Sequence, residues 1–510
     1  MDLKLQKTEI IVMKKVRILS LLLAALMVVT CFVACGGGED TASQTTANVG
    51  GDAPATGGSA TNTENRQNVK DTVPTDLDFT GKEMVFFVRD GNGFESEMDV
   101  EKTTNDTLSD AIFYRNATVE DRLGVEIKQI SQTWKSPDWN NTLRNAVLTK
   151  SGDYDAAAIY ASQSSALATE GIYYNVLDLP HVNLSKPWWN QSIIEETELF
   201  NTVYFLAGDV ANSQISWGVT LFFNKNLFNE FYSTQNINLY DEVREGKWTV
   251  DRMYELTSDV WVDNNSDGTL NVGDTYGFQF ANNIGDGSAD AWLTAMGIDI
   301  TTMVDGYPEL SLYSEHAVEA FEKLKRLHLE NPGTLVGNGN TPTEDFIAGN
   351  QLFTRQFIKS GAELRRMTDD YGVIPLPKFD EEQEEYRTIA TNIASMVVVL
   401  STVSEVEKVG ATLELMAAEG YKQVTPAFFD TVLKGKYSDS PDDAEMYDKI
   451  LNSFTYNFGF CYSTVSLEGI GSLFRVFSAD LSQQYESNKT KYQTALDALI
   501  DKLDEVSFGA

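Results

Sequence analysis

Cysteine and histidine are nearly missing, with three of each among 510 residues. That count excludes a multi-disulfide framework and a Cys/His zinc cluster, so any resident metal must sit among oxygens. Basic residues are scarce too: 39 Lys and Arg face 75 Asp and Glu, a formal charge of −36. Such a field opposes nucleic acid and anionic head groups as partners. No internal repeat is visible, which argues against a repeat-built surface adhesin. What the chain has in quantity is apolar surface, 42% hydrophobic and 11% aromatic residues. At this length it can bury the cores of two or more lobes.

The N-terminus reads as an export signal. Met13, the expected initiator, opens the cationic stretch Met13-Lys14-Lys15-Val16-Arg17, and an apolar run follows over residues 18–34. Val33-Ala34-Cys35 resembles a lipoprotein signal box, in which cleavage precedes a Cys that is then lipidated, although Phe32 stands where Leu is usual. The competing reading is an uncleaved membrane anchor. Loss of residues 1–34 removes Lys4, Lys7, Lys14, Lys15 and Arg17 against Asp2 and Glu9, taking the charge from −36 to −39. Residues 36–75 contain Leu, Ile, Met or an aromatic at no position before the globular part, and Gly, Thr, Ala, Asn and Ser dominate. A stretch of that composition cannot order itself, so 35–76 is expected to be a flexible tether. Cys461 is then the one Cys of the body, flanked by aromatics and read as a buried thiol. His181, His316 and His328 are isolated from one another and read as surface or helix-end residues.

The body alternates strand and helix patterns. Met84-Val85-Phe86-Phe87-Val88 is a strand-length apolar burst, Val125-Glu126-Ile127 begins a second strand, and residues 154–160 make a third. Between them, Thr107 with Asp110 suggests a capped helix carrying Leu108, Ile112, Val119 and Leu123, and residues 139–148 suggest another. This β-α-β-α-β order predicts a largely parallel sheet with ligand-contacting loops beyond the strands' carboxyl ends. Further on, residues 203–209 and 219–223 read as extended, Thr249 as the N-cap of a helix burying Met253, Leu256 and Val260, and Met396 to Leu400 as a buried strand. Helical patterns recur over 316–329, 404–418 and 471–503, while Tyr371-Gly372-Val373-Ile374-Pro375-Leu376-Pro377 reads as a break.

One local motif is sharp. Residues 263–274, DNNSDGTLNVGD, match the twelve-residue calcium loop at its ligand positions: Asp263, Asn265, Asp267, the Thr269 carbonyl, Asn271 and Asp274, with Gly268 at the turn. Asp274 stands where Glu is usual, and Thr275-Tyr276-Gly277-Phe278 is poor helix sequence. The expectation is a structural Ca2+ staple, set against an Asn/Asp/Gly-rich surface turn. No cofactor for chemistry is expected.

Eight Trp, 21 Tyr and 27 Phe include Trp188, Trp189, Trp217 and Trp292 in segments that read as loops. Aromatic faces stack on the CH faces of sugars while amides and carboxylates take the hydroxyls, so the mixture suits a carbohydrate. Residues 155–171, Tyr204-Phe205-Leu206-Ala207-Gly208-Asp209, Phe222-Phe223-Asn224-Lys225-Asn226-Leu227-Phe228, Lys247-Trp248-Thr249, the 371–377 stretch and the lipobox-like start carry a family likeness in this order. Over residues 79–506 the chain resembles the extracellular solute-binding proteins of bacterial ABC importers, in particular the large carbohydrate-binding group typified by family 1. The resemblance implies an α/β, two-lobed periplasmic-binding-protein-like fold of type II, each lobe a mostly parallel sheet flanked by helices and joined by hinge crossovers. Lobe 1 would comprise 77–207 and 387–432, and lobe 2 would comprise 208–386 and 433–510.

The function so implied is hinge closure on an oligosaccharide, with delivery to ABC permease subunits and no catalysis. The protein would be a monomer at the outer face of the cell membrane, anchored through lipidated Cys35. For stacking the resemblance points to Tyr160, Trp217 and Trp292, and for hydrogen bonding to Ser162, Gln163, Asp209, Arg355 and Asn392. A secreted glycan-cleaving hydrolase, and a binding protein for a peptide or other polar solute, are the alternatives.

Overall fold

The structure, a computed structural model, describes residues 63–91, 94, 96–133, 139–281, 288–337, 342–391, 394–433, 440–462 and 480–508. In chain order the first block holds α1 (Thr63–Asn68), β1 (Glu83–Asp90), α2 (Thr107–Leu123), β2 (Glu126–Thr133), α3 (Trp139–Thr149), β3 (Ala156–Tyr160) and α4 (Ala161–Ala168). The second holds β4 (Val219–Asn224), α5 (Val250–Ser258), β5 (Trp261–Val262), β6 (Thr275–Ala281), β7 (Thr301–Val304), β8 (Tyr307–Leu310), β9 (Thr334–Gly337), β10 (Gln351–Phe357) and β11 (Tyr371–Ile374). Then come β12 (Ser395–Val399), α6 (Val406–Glu419), α7 (Pro441–Asn452) and α8 (Leu481–Phe508). Among the described residues no helix is long and apolar enough to cross a membrane.

The first sheet has the order β12-β3-β1-β2. β1 is parallel to β2 and β3, and β12 returns antiparallel to β3. Its central strands are buried on both faces, which is why they read as unbroken apolar runs. With period two, Met84, Phe86 and Val88 of β1, Ala156 and Ala158 of β3, and Val397 and Val399 of β12 enter one core with α2 and α6. Phe87, Ala157, Ile159, Met396 and Val398 face the other. The second sheet runs β11-β4-β10-β6-β5, with β9 also on β6. It is mixed rather than mostly parallel: β4 is antiparallel to both β10 and β11, whereas β6 is parallel to β10 and β9.

Local differences from the sequence expectation have physical causes. The cap of α2 is Asp106, which accepts from Ser109 N at 2.9 Å, while Asp110 accepts from Thr104 N at 2.7 Å. Thr249 caps α5 as expected, accepting from Arg252 N at 3.2 Å. The supposed break at 371–377 begins as strand β11, because its four residues pair antiparallel with β4 before the prolines end it. Residues 203–209 pair with other extended segments through single bridges, Leu206 to Val397 and Gly208 to Trp189, and form no ladder. Cys461 is buried and free, and burial pushes its thiol well above the usual range. His328 is buried edge-on against Phe280, its pKa pulled down to about 4 by burial; it lies in the last turn of the helical segment Arg326–Glu330, so the helix-end part of the expectation holds and the surface part does not.

Three segments run side by side between the sheets. Val219 N donates to Ile389 O at 3.1 Å, Thr388 N to Ser453 O at 2.8 Å and Thr455 N to Thr388 O at 2.8 Å. Gly218 lies in this bundle, where a Cβ would overlap the Phe454 ring and the Ile358 side chain. A backbone that close tolerates no side chain.

Candidate functional site

Where the parallel strands of both sheets end, aromatic and cationic side chains meet. Arg89 is next to last in β1, Tyr160 is last in β3, and Phe357 is last in β10, followed by Lys359. Trp217 lies between them, just before Gly218. The guanidinium of Arg89 sits 3.1 Å from the Tyr160 ring centroid and 3.7 Å from that of Phe94. Phe94 stacks on Trp217 at 5.7 Å with planes 8° apart. The Lys359 ammonium lies 3.1 Å from the Trp217 ring. The side chains thus contact one another in the sequence Tyr160, Arg89, Phe94, Trp217, Lys359, from the first sheet to the second. Trp139 meets Tyr160 edge-on at 6.2 Å, Phe357 tilts on Trp217 at 4.8 Å, and the Arg355 guanidinium is 5.7 Å from Phe357.

Polar groups fix the first-sheet side. Glu97, buried, accepts from Ser395 Oγ at 2.5 Å and from Ser213 N at 3.1 Å. Gln214 donates to Ser395 O and accepts from the Tyr456 hydroxyl. Burial pulls the Arg89 guanidinium down to about 9, with Tyr160 and Glu97 acting the other way. Burial likewise brings Lys359 down to about 8, against Glu363. Beside Trp217 is a cavity of about 220 Å³ lined by Ser96, Glu97, Asn212, Ser213 and Ser216 among others.

A second cavity, about 340 Å³, lies against the crossover and is lined by Arg66, Trp188, Asp209, Gln214, Tyr421 and Phe454 among others. Asp209 is there, not in the Trp217 cluster. Thr425 Oγ1 donates to it and Arg66 Nη1 is 3.7 Å away. Burial pushes its carboxyl up to about 6 against the pull of Arg66.

Of the residues singled out from sequence, Tyr160 and Trp217 join this cluster directly and Arg355 joins it through Phe357. Ser162 and Gln163 lie in the first turn of α4, immediately beyond Tyr160. Asn392 and Cys35 lie outside the described residues. Trp292 requires correction: its indole is 2% exposed and packs on Phe278 and Phe280 in the core. Trp188 and Trp189 are buried too, the latter donating to Glu414 Oε2 at 2.9 Å. Sequence reasoning missed Arg89, Phe94 and Lys359. Arg89 directly follows the β1 apolar burst, so strand-end logic was available for it; Phe94 and Lys359 carry no local signal.

The oxygen-rich loop is a hairpin connection between β5 and β6, which pair antiparallel. Helix α5 precedes the loop but ends at Ser258, and the two residues of β5 follow it, so the loop itself is bracketed by strands. Asp263 accepts from Asp267 N and Gly268 N at 3.2 and 2.8 Å, and these amides hold its carboxyl below the usual range. Gly268 has φ +73°. Asp274 is buried and accepts from Asn264 N and Asn271 N, both at 3.1 Å. The Asn271 amide nitrogen donates to Asp267 Oδ2 and Thr269 O, each at 2.8 Å. Among the described residues, no three His, Cys, Asp or Glu side chains gather at metal-binding distance.

No family model matches the chain, and no characterised protein matches it in sequence. Solved structures do match in fold. A cyclo/maltodextrin-binding protein complexed with maltotetraose superposes with TM-score 0.51 at 12% identity, over 83% of this chain and 96% of that one. The galacto-N-biose/lacto-N-biose I-binding protein of an ABC transporter from Bifidobacterium longum, in complex with lacto-N-biose, gives 0.51 at 12%, over 82% and 97%. UgpB from Mycobacterium tuberculosis, in complex with glycerophosphocholine, gives 0.51 at 15%, over 82% and 99%. The chain therefore has the two-lobed α/β fold of type II periplasmic-binding proteins, as the sequence resemblance implied.

Proposed function

We propose, from this two-lobed fold, that the chain is the extracellular substrate-binding component of an ABC importer, and that it closes its lobes on an oligosaccharide for delivery to permease subunits. The observation that carries the reading is the aromatic run Tyr160, Phe94, Trp217 and Phe357, built from both sheets at their strand ends beside the three-segment hinge. Phe94 and Tyr160 are buried within this run and back it, while Trp217 and Phe357 are half-buried and are the rings on which a sugar CH face can stack. A ligand shifts a hinge only by binding the closed form better than the open one, and rings drawn from both lobes supply that difference. The fold neighbours that hold maltotetraose and lacto-N-biose support the choice of ligand class.

The test is to incubate the purified chain with oligosaccharides, following small-angle scattering and product formation together. A smaller radius of gyration with intact sugar is expected. Turnover would favour the hydrolase reading, and an unchanged shape with no ligand bound would remove this one.

Lipid attachment at Cys35 belongs to the same reading. Cys35→Ala should move the protein from the membrane fraction to the medium, and equal partition would contradict it. As a further part of the proposal, Asp263, Asn265, Asp267, the Thr269 carbonyl, Asn271 and Asp274 hold a structural Ca2+. Their oxygens suit that ion, and Asn271 would have to turn its amide to present Oδ1. Calcium should raise the melting temperature over that in chelator and leave sugar affinity within about twofold, since the loop is on the β5 edge; identical melting curves would dismiss the ion.

A further inference from the structure

An acidic chain has placed three cations around one aromatic run. Arg89, Arg355 and Lys359 all contact rings of the Tyr160–Phe357 cluster, in a protein with 75 acidic against 39 basic residues. On the first-sheet side Glu97 favours the charged form of Arg89 and accepts from Ser395 Oγ and Ser213 N. On the second-sheet side Glu363 stands near Lys359. A site for neutral sugars is best served by carboxylates and amides that accept from hydroxyls. Here the groups lying on the ring faces are donors only.

Resting on the carbohydrate reading above, we infer that the ligand is an acidic oligosaccharide, its rings bearing carboxylate or sulfate groups, and that Lys359 and Arg89 select that charge. The ammonium of Lys359 covers a face of Trp217 at 3.1 Å. A sugar ring stacking there displaces it, and an anionic substituent on that ring gives the displaced ammonium a partner stronger than the indole. Arg89, buried between Phe94 and Tyr160 with Nη2 3.5 Å from Ser395 Oγ, adds fixed positive charge behind those rings and does not itself touch the ligand. Both cations have depressed pKa values through burial, so an added anion strengthens their charged forms. The surrounding net negative charge repels acidic ligands at long range, which makes the local cluster the element that decides selection.

The experiment is titration calorimetry of the full chain with four probes: tetragalacturonate, a chondroitin sulfate tetrasaccharide, maltotetraose and cellotetraose, each at 25 and 500 mM NaCl. At least one acidic probe should bind about tenfold or more tighter than either neutral one at low salt, with the preference shrinking at high salt. The two acidic arms tell carboxylate from sulfate. Lys359→Gln should collapse the acidic-to-neutral ratio and Lys359→Arg should keep most of it, with melting curves verifying that both variants fold. Tight binding of a neutral probe alone overturns the charge assignment and leaves the carbohydrate reading standing. Binding of none of the four, by protein shown to be folded, overturns both.

Discussion

Trp217→Ala is expected to weaken oligosaccharide binding by about 30-fold or more in titration calorimetry. Its ring is the one member that touches both ends of the cluster, meeting Phe94 at 5.7 Å, Phe357 at 4.8 Å and Lys359 at 3.1 Å. Truncating a central aromatic of a binding site typically costs 2 kcal/mol or more, and each 1.4 kcal/mol is a factor of ten. Removing it also leaves the rings of the two lobes without a shared surface, so the ligand-induced change in radius of gyration should vanish at concentrations that saturate the wild type. Trp217→Phe keeps a flat face and should recover part of the affinity. Trp292→Phe is the contrasting variant: that indole is enclosed by Phe278 and Phe280, so the change should lower the melting temperature while affinity stays within about threefold. If Trp217→Ala retains affinity within threefold, the aromatic run is not where sugar binds.

The contrast between those two tryptophans marks how far the sequence could be read. Strands β1, β3 and β12 were legible because sheet strands buried on both faces leave unbroken apolar runs, and the α5 cap because Thr249 acts on its own helix. Tyr160 was legible as a strand end and Trp217 as an aromatic in a crossover. Trp292 was misplaced because its segment read as a loop, whereas residues Ser288–Ala295 form a helix that buries the indole. Strand β11 was hidden by its Gly and the following prolines, since its pairing with β4 joins residues about 150 apart in sequence. The cations on the rings are the extreme case: Arg89 meets Phe94 locally, but Lys359 reaches Trp217 only through the packing of β10 against β4. Asp209 was named as a ligand group through the family resemblance alone, and its partners, Arg66 and Thr425, come from distant parts of the chain.

The largest effect on stability is expected at Asp443, where Asp443→Ala should cost about 3–5 kcal/mol in denaturant unfolding. The carboxylate is buried near the start of α7 and accepts three donors from the second sheet and its flanks: Tyr240 Oη at 2.5 Å, Lys225 Nζ at 2.9 Å and Val373 N at 3.1 Å. Burial and the neighbouring carboxylate both push the Tyr240 hydroxyl well above its usual range, so it stays a committed donor. Deleting the acceptor leaves a cation, a hydroxyl and the β11 amide without their shared partner, and removing one side of a buried pair is far costlier than the pair's net worth. Asp443→Asn preserves shape but turns an amide donor toward groups that are themselves donors, so it should recover little. Tyr240→Phe alone should be milder, and the double variant should show a coupling of about 1 kcal/mol or more, because the orphaned hydroxyl is then gone. Helix α7 leads directly into segment 453–455 of the hinge, yet the Trp217 cluster is untouched by the change. Affinity measured well below the unfolding transition should therefore fall less than tenfold. A stability loss under about 1 kcal/mol would mean that α7 is held by its apolar face, through Met446 and Ile450, rather than by this carboxylate.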